Sequence, residues 1–261
     1  MELDNKELLK YLTEFIRKEF DSKGFTKGVI GLSGGIDSAV SAYISTAALG
    51  KENMHFIMMP YKTSSEESIT DAMKVVNALG AEHTVIDITP MADAYFDKYC
   101  PEGISDIRKG NIMARMRMVV LYDFSAKLNA LVIGTGNKTE ILLGYTTLFG
   151  DSACAINPVG DLYKTQLRSL AKYLFVPESI INKKPSADLW KNQTDEGEMG
   201  FTYEDADKYF YGKFERKLPG ERLIEEGFNE NFVKKVESMM MKNKFKSELP
   251  VIARIPGNLY K

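Results

Sequence analysis

The sequence is poor in cysteine. Only two of its 261 residues are cysteines, Cys100 and Cys154, and they lie far apart and belong to no paired motif. A disulfide framework and a cysteine-rich zinc site are therefore not expected, and a reducing compartment is the default for such a chain.

The sequence also lacks long apolar runs and an excess of charge of one sign. No stretch approaches the roughly 18 consecutive apolar residues of a membrane span. Charges interrupt the N-terminal segment MELDNKELLKYL from its second residue, unlike a secretory signal. The 34 basic and 36 acidic residues leave a net charge of −2, which gives no general reason to expect nucleic acid or an anionic membrane as partner. These absences indicate a cytoplasmic protein without either partner.

What the sequence does have is an alternation of short apolar runs with helical patterns, followed by a mostly helical part after residue 160. Apolar strands separated by helices are typical of a parallel sheet covered on both faces. We predict an α/β fold, a three-layer doubly wound parallel sheet with helices on both faces and a helical C-terminal part, in one domain over residues 1–261. The predicted strands are 28–32, 54–59, 84–88 and 130–133, and the predicted helices are 4–20, three segments that begin near Asp37, Ser64 and Pro90, and 107–129, 164–175, 203–211 and 230–243.

A loop with the sequence SGGIDS follows the first predicted strand and opens a helix. Such a loop presents backbone N–H groups to an anion, and the helix dipole favours negative charge. The carboxylate of Asp37 suits phosphates only if a Mg²⁺ ion lies between them. The alternative is a strand–helix turn with a serine cap, and the spacing fits neither a Walker A motif nor a dinucleotide-binding fingerprint. The candidate phosphate-binding residues are Gly31, Ser33, Gly34, Gly35, Ile36, Asp37 and Ser38.

This loop resembles the signature of the ATP-pyrophosphatases, enzymes that cleave ATP to AMP and pyrophosphate. Members of that superfamily adenylate a carboxylate or carbonyl oxygen, which a nucleophile then displaces. The loop is specific for the superfamily but not for the substrate.

The segment RKGNIMARMRM, residues 108–118, indicates the substrate. Read by itself as a helix, it is either a solvated basic face or an anion site lined by methionines. However, K-G-N-I-x-A-R-x-R-M, complete from Lys109 to Met118, resembles the signature of the NAD synthetases. The resemblance implies that Asn111, Arg115 and Arg117 contact deamido-NAD.

Other segments resemble the same family in the same order over residues 30–250. This sequence departs from the family pattern at Gly136-Asn137, where many members have Asp-His, and at Ala155, where many have an acid. What that acid contributes to substrate binding is therefore open for this chain. The resemblance implies that Asp37, Lys164 and Asp151 are catalytic, that Thr135, Lys164 and Ser186 contact ATP, that Asp37 and Glu140 bind Mg²⁺, and that Asp151, Glu198 and, more loosely, Lys244 or its neighbour Lys246 contact the substrate.

The implied reaction is ATP-dependent amidation of deamido-NAD, with ATP as co-substrate and Mg²⁺ as cofactor. Glutamine-using relatives have an additional glutaminase domain, and the roughly twenty-five residues before the first predicted strand are too few for one, so ammonia is the expected nitrogen donor. Two polar segments, Tyr61–Ser68 and the aperiodic Lys183–Gly200, are predicted to be mobile lids. The family also implies a homodimer with the substrate site at its interface, near the helix predicted at 107–129.

Three other functions remain open on sequence alone. One is a different ATP-pyrophosphatase, such as a GMP synthetase-like ligase or a tRNA-modifying enzyme, although the chain has neither the cysteine pairs nor the basic surface typical of the latter. Another is a non-catalytic adenine-nucleotide binding module, against which Glu140 and the Asn/Arg helix argue. The third is a degenerate relative that binds ATP without turnover, which the loss of an acid at Ala155 keeps open.

Overall fold

Four parallel strands form the central sheet of the computed structural model, which describes residues 1–186, 193–248 and 250–259. The strands lie in the order β3-β2-β1-β4, and Val29 in β1 pairs with His55 in β2 and Val132 in β4. The chain therefore moves outward from β1 to β3 and returns to add β4 on the other side of β1. The strands are β1 (Lys27–Gly31), β2 (Met54–Met58), β3 (Glu82–Val85) and β4 (Ala130–Val132).

Helices cover both faces of this sheet, because successive side chains of a strand point to opposite faces. Ile30 packs on one face with residues of α1, α2, α3 and α7, whereas its neighbour Val29 packs on the other face with residues of α4 and α5. Both side chains are fully buried. These helices are α1 (Asn5–Lys23), α2 (Ile36–Leu49), α3 (Glu66–Leu79), α4 (Thr89–Tyr99), α5 (Asp106–Leu128) and α7 (Lys164–Tyr173).

A third apolar cluster lies beyond one end of the sheet and is rich in aromatic residues. Tyr209 and Phe210 are fully buried there, and Tyr209 makes edge-on ring contacts with Phe228 and Phe232. The cluster packs α10 against α6, α11 and α12. The remaining helices are α6 (Lys138–Leu143), α8 (Glu178–Ile181), α9 (Asp195–Met199), α10 (Tyr203–Phe210), α11 (Gly220–Glu225) and α12 (Glu230–Asn243), and a π-helical turn (Tyr211–Glu215) extends α10.

The predicted α/β fold with covered faces is confirmed, and two local predictions are wrong. β3 occupies Glu82–Val85, not 84–88, because its pairing follows β2 and not its own apolar pattern; His55 pairs with Glu82. As an edge strand β3 is mostly exposed. The segment Lys183–Gly200 is not entirely loop, since its last part forms α9, capped by Thr194; residues 187–192 of that predicted lid, with Trp190, lie outside the described residues. Within the described ranges, no helix is both long and apolar enough to cross a membrane.

Candidate active site

A cavity of about 600 Å³ opens at the carboxyl ends of β1 and β4. The strand order reverses between these two strands, and open parallel sheets bind ligands in the crevice that such a reversal creates. One end of the cavity is lined by the loop after β1, and the other by residues of α5 and of the segment 144–153. The sequence-predicted residues that line it are Gly31, Ser33, Gly35, Ile36, Asp37, Ser38, Asn111, Arg117, Thr135, Glu140, Asp151, Lys164, Ser186 and Glu198.

The loop Ser33–Ser38 is held in shape by its own hydroxyl groups. Ser38 Oγ lies 3.2 Å from the Ser33 amide, which donates to it, and donates to the Gly35 carbonyl at 3.0 Å. The Gly35 amide donates to Ser33 Oγ at 3.2 Å. Among the described residues no side chain caps α2 at its N-cap Gly35, so the first-turn amides of α2 are available to an anion in the cavity.

Gly34 is required where it stands. Its φ of 77° lies in the left-handed region, and a Cβ at this position would lie 2.1 Å from the Ser68 carbonyl oxygen. The loop therefore packs directly against the backbone of the first turn of α3, where the predicted lid Tyr61–Ser68 ends. Among the described residues that line the cavity, Gly34 is absent, so its role is to set the conformation of the loop.

Three charged groups meet beside this loop. The Lys164 ammonium donates to Asp37 Oδ2 at 2.6 Å and to Glu140 Oε1 at 3.2 Å. Its side chain is 4% exposed, and those of Asp37 and Glu140 are 20% and 16% exposed. Each residue stands at the start of a different helix, α7, α2 and α6, so the three helix N-termini converge on one point.

The electrostatics of this cluster follow from its burial. Burial raises the pKa of Glu140, the Lys164 charge opposes that effect and the Asp37 charge adds to it, with the result that the Glu140 pKa rises to about 7. For Lys164, burial favours the neutral amine, but the Asp37 and Glu140 charges outweigh it and raise the pKa. Lys164 is therefore charged at neutral pH.

Asn137 is a site residue that sequence reasoning missed. Its fully buried side chain donates from Nδ2 to Asp37 Oδ1 at 2.8 Å. Its Oδ1 accepts the Glu140 amide, while Glu140 Oε2 accepts the Asn137 amide, a reciprocal capping box. The pattern N-x-x-E was the available signal. Asn137 caps α6, and Thr135 lines the cavity, as its assignment to ATP requires.

A second polar network continues from Glu140 towards α9 and contains the predicted Glu198, whereas its other members Asp195, Tyr203 and Tyr145 were not predicted. The Tyr203 hydroxyl lies 3.3 Å from Glu140 Oε1 and 3.0 Å from Asp195 Oδ2. Asp195 is 5% exposed, and burial raises its pKa. The neighbouring Tyr145 hydroxyl donates to Glu198 Oε2 at 2.8 Å. Tyr203 and Tyr145 stand in no motif, so only the tertiary packing of α10 and α6 reveals them.

The predicted substrate helix contributes unevenly to the cavity. Asn111 lines it and accepts the Thr147 hydroxyl at 2.7 Å, and Arg117 lines it and donates to the Met59 carbonyl at 3.0 Å. Arg115 instead donates to the Leu148 carbonyl at 3.2 Å and faces outward. Among the described residues that line the cavity, Arg115 is absent.

The segment 144–153 and the C-terminal lysines close the far end. Asp151 lines the cavity, accepts the Thr147 amide at 2.8 Å and is exposed. Lys246 also lines the cavity and donates to the Gly144 and Thr146 carbonyls. The Lys244 side chain is 74% exposed and pairs with Glu248, so the structure brings Lys246, and not Lys244, to the cavity.

Known proteins resemble this chain over nearly its whole length. A sequence model of the NAD synthase family matches residues 8–250. The NH(3)-dependent NAD(+) synthetase of Fusobacterium nucleatum is 50% identical over 255 residues, which are 98% of each chain. The solved NMN synthetase of Francisella tularensis superposes with a TM-score of 0.87 at 32% identity, over 97% of this chain and 100% of that one. The NH3-dependent NAD synthetase of Campylobacter jejuni, solved with a nitrate ion, superposes with a TM-score of 0.82 at 34% identity, with the same coverage.

Proposed function

Because this chain belongs to the NAD synthase family, we propose that it amidates deamido-NAD with ammonia at the expense of ATP, giving NAD⁺, AMP and pyrophosphate. The observation that carries the proposal is a single cavity with an anion-binding loop and the Asp37–Lys164–Glu140 cluster at one end and Asn111, Arg117 and Asp151 at the other. A triphosphate and a dinucleotide can meet between these ends.

In this proposal ATP binds with its terminal phosphates on the loop Ser33–Ser38. The uncapped amides of α2 and the Ser33 and Ser38 hydroxyls are the donors, and the helix dipole adds to their attraction. Lys164 neutralises the negative charge that develops on the pyrophosphate as it leaves. Thr135 and Ser186 line the same cavity and are assigned to ATP.

Mg²⁺ is the proposed cofactor, held by Asp37 and Glu140. Both carboxylates already converge on one cation, the Lys164 ammonium. No cluster of three ligating His, Cys, Asp or Glu side chains occurs in the part of the chain that the structure describes. That arrangement fits Mg²⁺, which commonly takes one or two carboxylates and fills its remaining positions with phosphate oxygens and water. When bound, the ion would neutralise phosphate charge.

The chemistry has two steps. A carboxylate oxygen of the nicotinate attacks the α-phosphorus of ATP, the bond to the β-phosphate oxygen breaks, and pyrophosphate leaves. The nitrogen of ammonia then attacks the acyl carbon, the bond to the adenylate oxygen breaks, and AMP leaves. The nitrogen sheds a proton in this second step, and we assign its acceptance to Asp151, because this carboxylate lines the cavity, where its Oδ1 accepts the Thr147 amide.

The proposed assembly is a homodimer with the substrate site at its interface. Ile107, Val119 and Tyr122 are 72%, 53% and 41% exposed and follow one stripe of α5. Ile107 also lines the cavity, so the stripe borders the site. Arg115 lies within the stripe, and a substrate bound across the interface would reach it.

The predicted contact of Lys244 with the substrate stays a prediction. The cytoplasmic location also stays a prediction, which the two free cysteines support.

The test is to incubate the purified protein with Mg-ATP, deamido-NAD and ammonium and to quantify NAD⁺, AMP and pyrophosphate. Equal amounts of all three are expected with ammonium and none with glutamine. Nicotinic acid mononucleotide is tested in parallel, because one structural relative is an NMN synthetase; faster turnover of the mononucleotide would overturn the choice of substrate. Pyrophosphate without NAD⁺ would indicate a different ligase, and bound ATP without turnover a binding module.

The matched variants are Asp37→Asn and Asp97→Asn. Asp37→Asn removes one of the two carboxylates on Lys164 and is expected to lower NAD⁺ formation by about 100-fold or more. Asp97 is exposed on α4, and its substitution should leave the rate unchanged. Equal rates for the two variants would contradict the assigned site.

A further inference from the structure

Asp207 on α10 is a buried carboxylate for which the proposed mechanism has no use. Its side chain is 0% exposed, and isolated carboxylates are costly to bury. It lies in neither the phosphate loop nor the lining of the cavity, within the described part of the chain. The hydrogen bonds of the Asp207 carboxylate indicate its role.

Both carboxylate oxygens of Asp207 accept hydrogen bonds from helix N-termini. Oδ1 accepts the Thr139 hydroxyl, from the first turn of α6, and Oδ2 accepts the Thr165 amide, from the first turn of α7, at 2.8 Å. In addition, the Lys164 amide donates to Thr139 Oγ1 at 3.1 Å. Since an amide can only donate, the Thr139 oxygen must accept from Lys164, and its single proton goes to Asp207.

This arrangement substitutes for a missing helix cap. The N-cap of α7 is Tyr163, whose amide donates to Gln166 Oε1 of the first turn at 3.0 Å, but whose hydroxyl donates to Glu215 and so accepts nothing from the first-turn amides of Lys164 and Thr165. The Thr139 hydroxyl and the Asp207 carboxylate supply the acceptors that α7 lacks. One carboxylate from a third helix thereby joins the starts of α6 and α7.

The residues next to these contacts are those of the active site. Thr139 is bonded covalently to Glu140, and Lys164 precedes Thr165. The Lys164 ammonium reaches Glu140 at 3.2 Å and Asp37 at 2.6 Å, so a small rotation of α6 against α7 would separate them. α10 makes a further contact one turn earlier, where the Tyr203 hydroxyl lies 3.3 Å from Glu140 Oε1.

We propose that Asp207, acting through Thr139, is a positioning residue for the adenylation step. It fixes the starts of α6 and α7 so that Glu140 and Lys164 meet Asp37 at the ATP phosphates, and it does not itself touch substrate. The inference rests on the proposed function. Errors of about 1 Å in the placement of such groups can cost on the order of 100-fold in rate, whereas substrate binding at the far end of the cavity would be left intact.

The experiment compares four variants in steady-state kinetics and in ATP–pyrophosphate exchange without ammonia, which reports adenylation alone. Asp207→Asn places a donor where an acceptor is needed, and Thr139→Val removes the relaying hydroxyl at nearly constant volume. Each is expected to lower kcat and the exchange rate by about 10-fold or more, with the KM for deamido-NAD within about threefold of wild type. Thr139→Ser keeps the hydroxyl and should restore most of kcat, and Glu204→Gln, at an exposed position of α10, should match wild type.

The outcomes separate this inference from the proposed function. If wild-type protein forms no NAD⁺, the proposed function fails and takes the inference with it. If wild type is active while Asp207→Asn and Thr139→Val lower only the melting temperature and leave kcat of the folded protein within twofold, Asp207 is merely structural and the inference alone is overturned. Should Asp207→Asn fail to fold, the Thr139→Val and Thr139→Ser pair decides.

Discussion

At the scale of single residues, the site depends on where each side chain stands in a helix. Asp37, Glu140 and Lys164 all lie in the first turns of their helices. First-turn side chains lie near the unpaired amides of the helix start, so amides that can bind an anion lie beside the Lys164 ammonium and the two carboxylates that pair with it. Asn137 likewise has two roles, because its single side-chain amide both caps α6 and donates to Asp37.

Gly34→Ala is predicted to damage the phosphate loop. The substitution imposes a left-handed φ on alanine, which costs about 1–2 kcal/mol, and it also places a Cβ 2.1 Å from the Ser68 carbonyl oxygen, so the loop must move. We expect the KM for ATP to rise by about 10-fold or more, because a loop displaced by about 1 Å binds phosphate poorly.

The control for this prediction is Gly103→Ala. Gly103 has a φ of 99° and open space around its Cβ position, so it tests the cost of the backbone conformation by itself. Initial rates at varied ATP, with thermal melts of both variants, make the measurement. An unchanged KM for ATP in Gly34→Ala would show that the loop tolerates the shift.

At the scale of elements, α3 and α8 are joined by a buried carboxylate beside the cavity. Asp71 of α3 is 0% exposed and accepts from Lys74 at 2.9 Å and from Ser179 of α8 at 2.8 Å. Lys183, which lines the cavity just after α8, donates to Asp71 at 3.4 Å and to Ser68 at 3.2 Å. The cluster therefore anchors the end of the predicted lid Tyr61–Ser68 and the start of the second predicted lid, Lys183–Gly200.

Asp71→Asn is predicted to lower the free energy of unfolding by about 1–3 kcal/mol at pH 7, through loss of hydrogen bonds to a charged group. Burial raises the pKa of Asp71, but hydrogen bonds from Lys74 and Ser179 and the Lys183 charge together lower it by more. A lowered pKa means that the stabilisation is complete above the unfolded value of about 3.9 and is lost as the pH falls through the folded value.

Urea unfolding of wild type and variant between pH 7 and pH 3 makes the check. The difference in the free energy of unfolding between wild type and Asp71→Asn should stay constant down to about pH 5 and shrink below about pH 4. Asp97→Asn, at an exposed position of α4, should show no difference at any pH. A difference for Asp71→Asn that persisted undiminished at pH 3 would show that its charge is not the source of the stability.

At the scale of the whole molecule, the exposed apolar stripe of α5 lies on the opposite side of the sheet from α1 and α7. Large exposed apolar side chains that follow one helix face are typical of an interface. Stable interfaces bury about 1,200–2,000 Å² in total, which a helix of 23 residues can contribute to substantially. This face is the proposed dimer contact.

Val119→Lys is predicted to convert the protein from dimer to monomer. An isologous interface experiences each substitution twice, so two lysine charges would be placed in the apolar contact. Sedimentation velocity at micromolar concentration measures the result, and Phe175→Lys is the control, because Phe175 is 88% exposed and follows α7 on the other side of the sheet. A wild-type protein that sediments as a monomer would contradict the dimer.

Much of the fold was predictable because the patterns that indicate it lie within short segments of the sequence. The strands β1, β2 and β4 and the long helix α5 carry continuous apolar runs or a clear helical period, and they lie within a few residues of their predicted bounds. β3 was misplaced because an edge strand takes its register from hydrogen bonds to its neighbour, and α9 was missed because a helix of 5 residues is too short to show a period.

By itself, the sequence determined the fold class, the anion-binding loop and the family, because glycine spacing, apolar periodicity and contiguous motifs are properties of short segments. Which side chains complete the site depends on how the helices pack. Asn137, Tyr203 and Asp207 act across elements far apart in the chain, and their contacts with Asp37, Glu140 and Thr139 exist only once α2, α6 and α10 have packed. The tertiary structure also brought Lys246 rather than Lys244 to the cavity, because the last turn before the C-terminal segment sets which of the two faces inward.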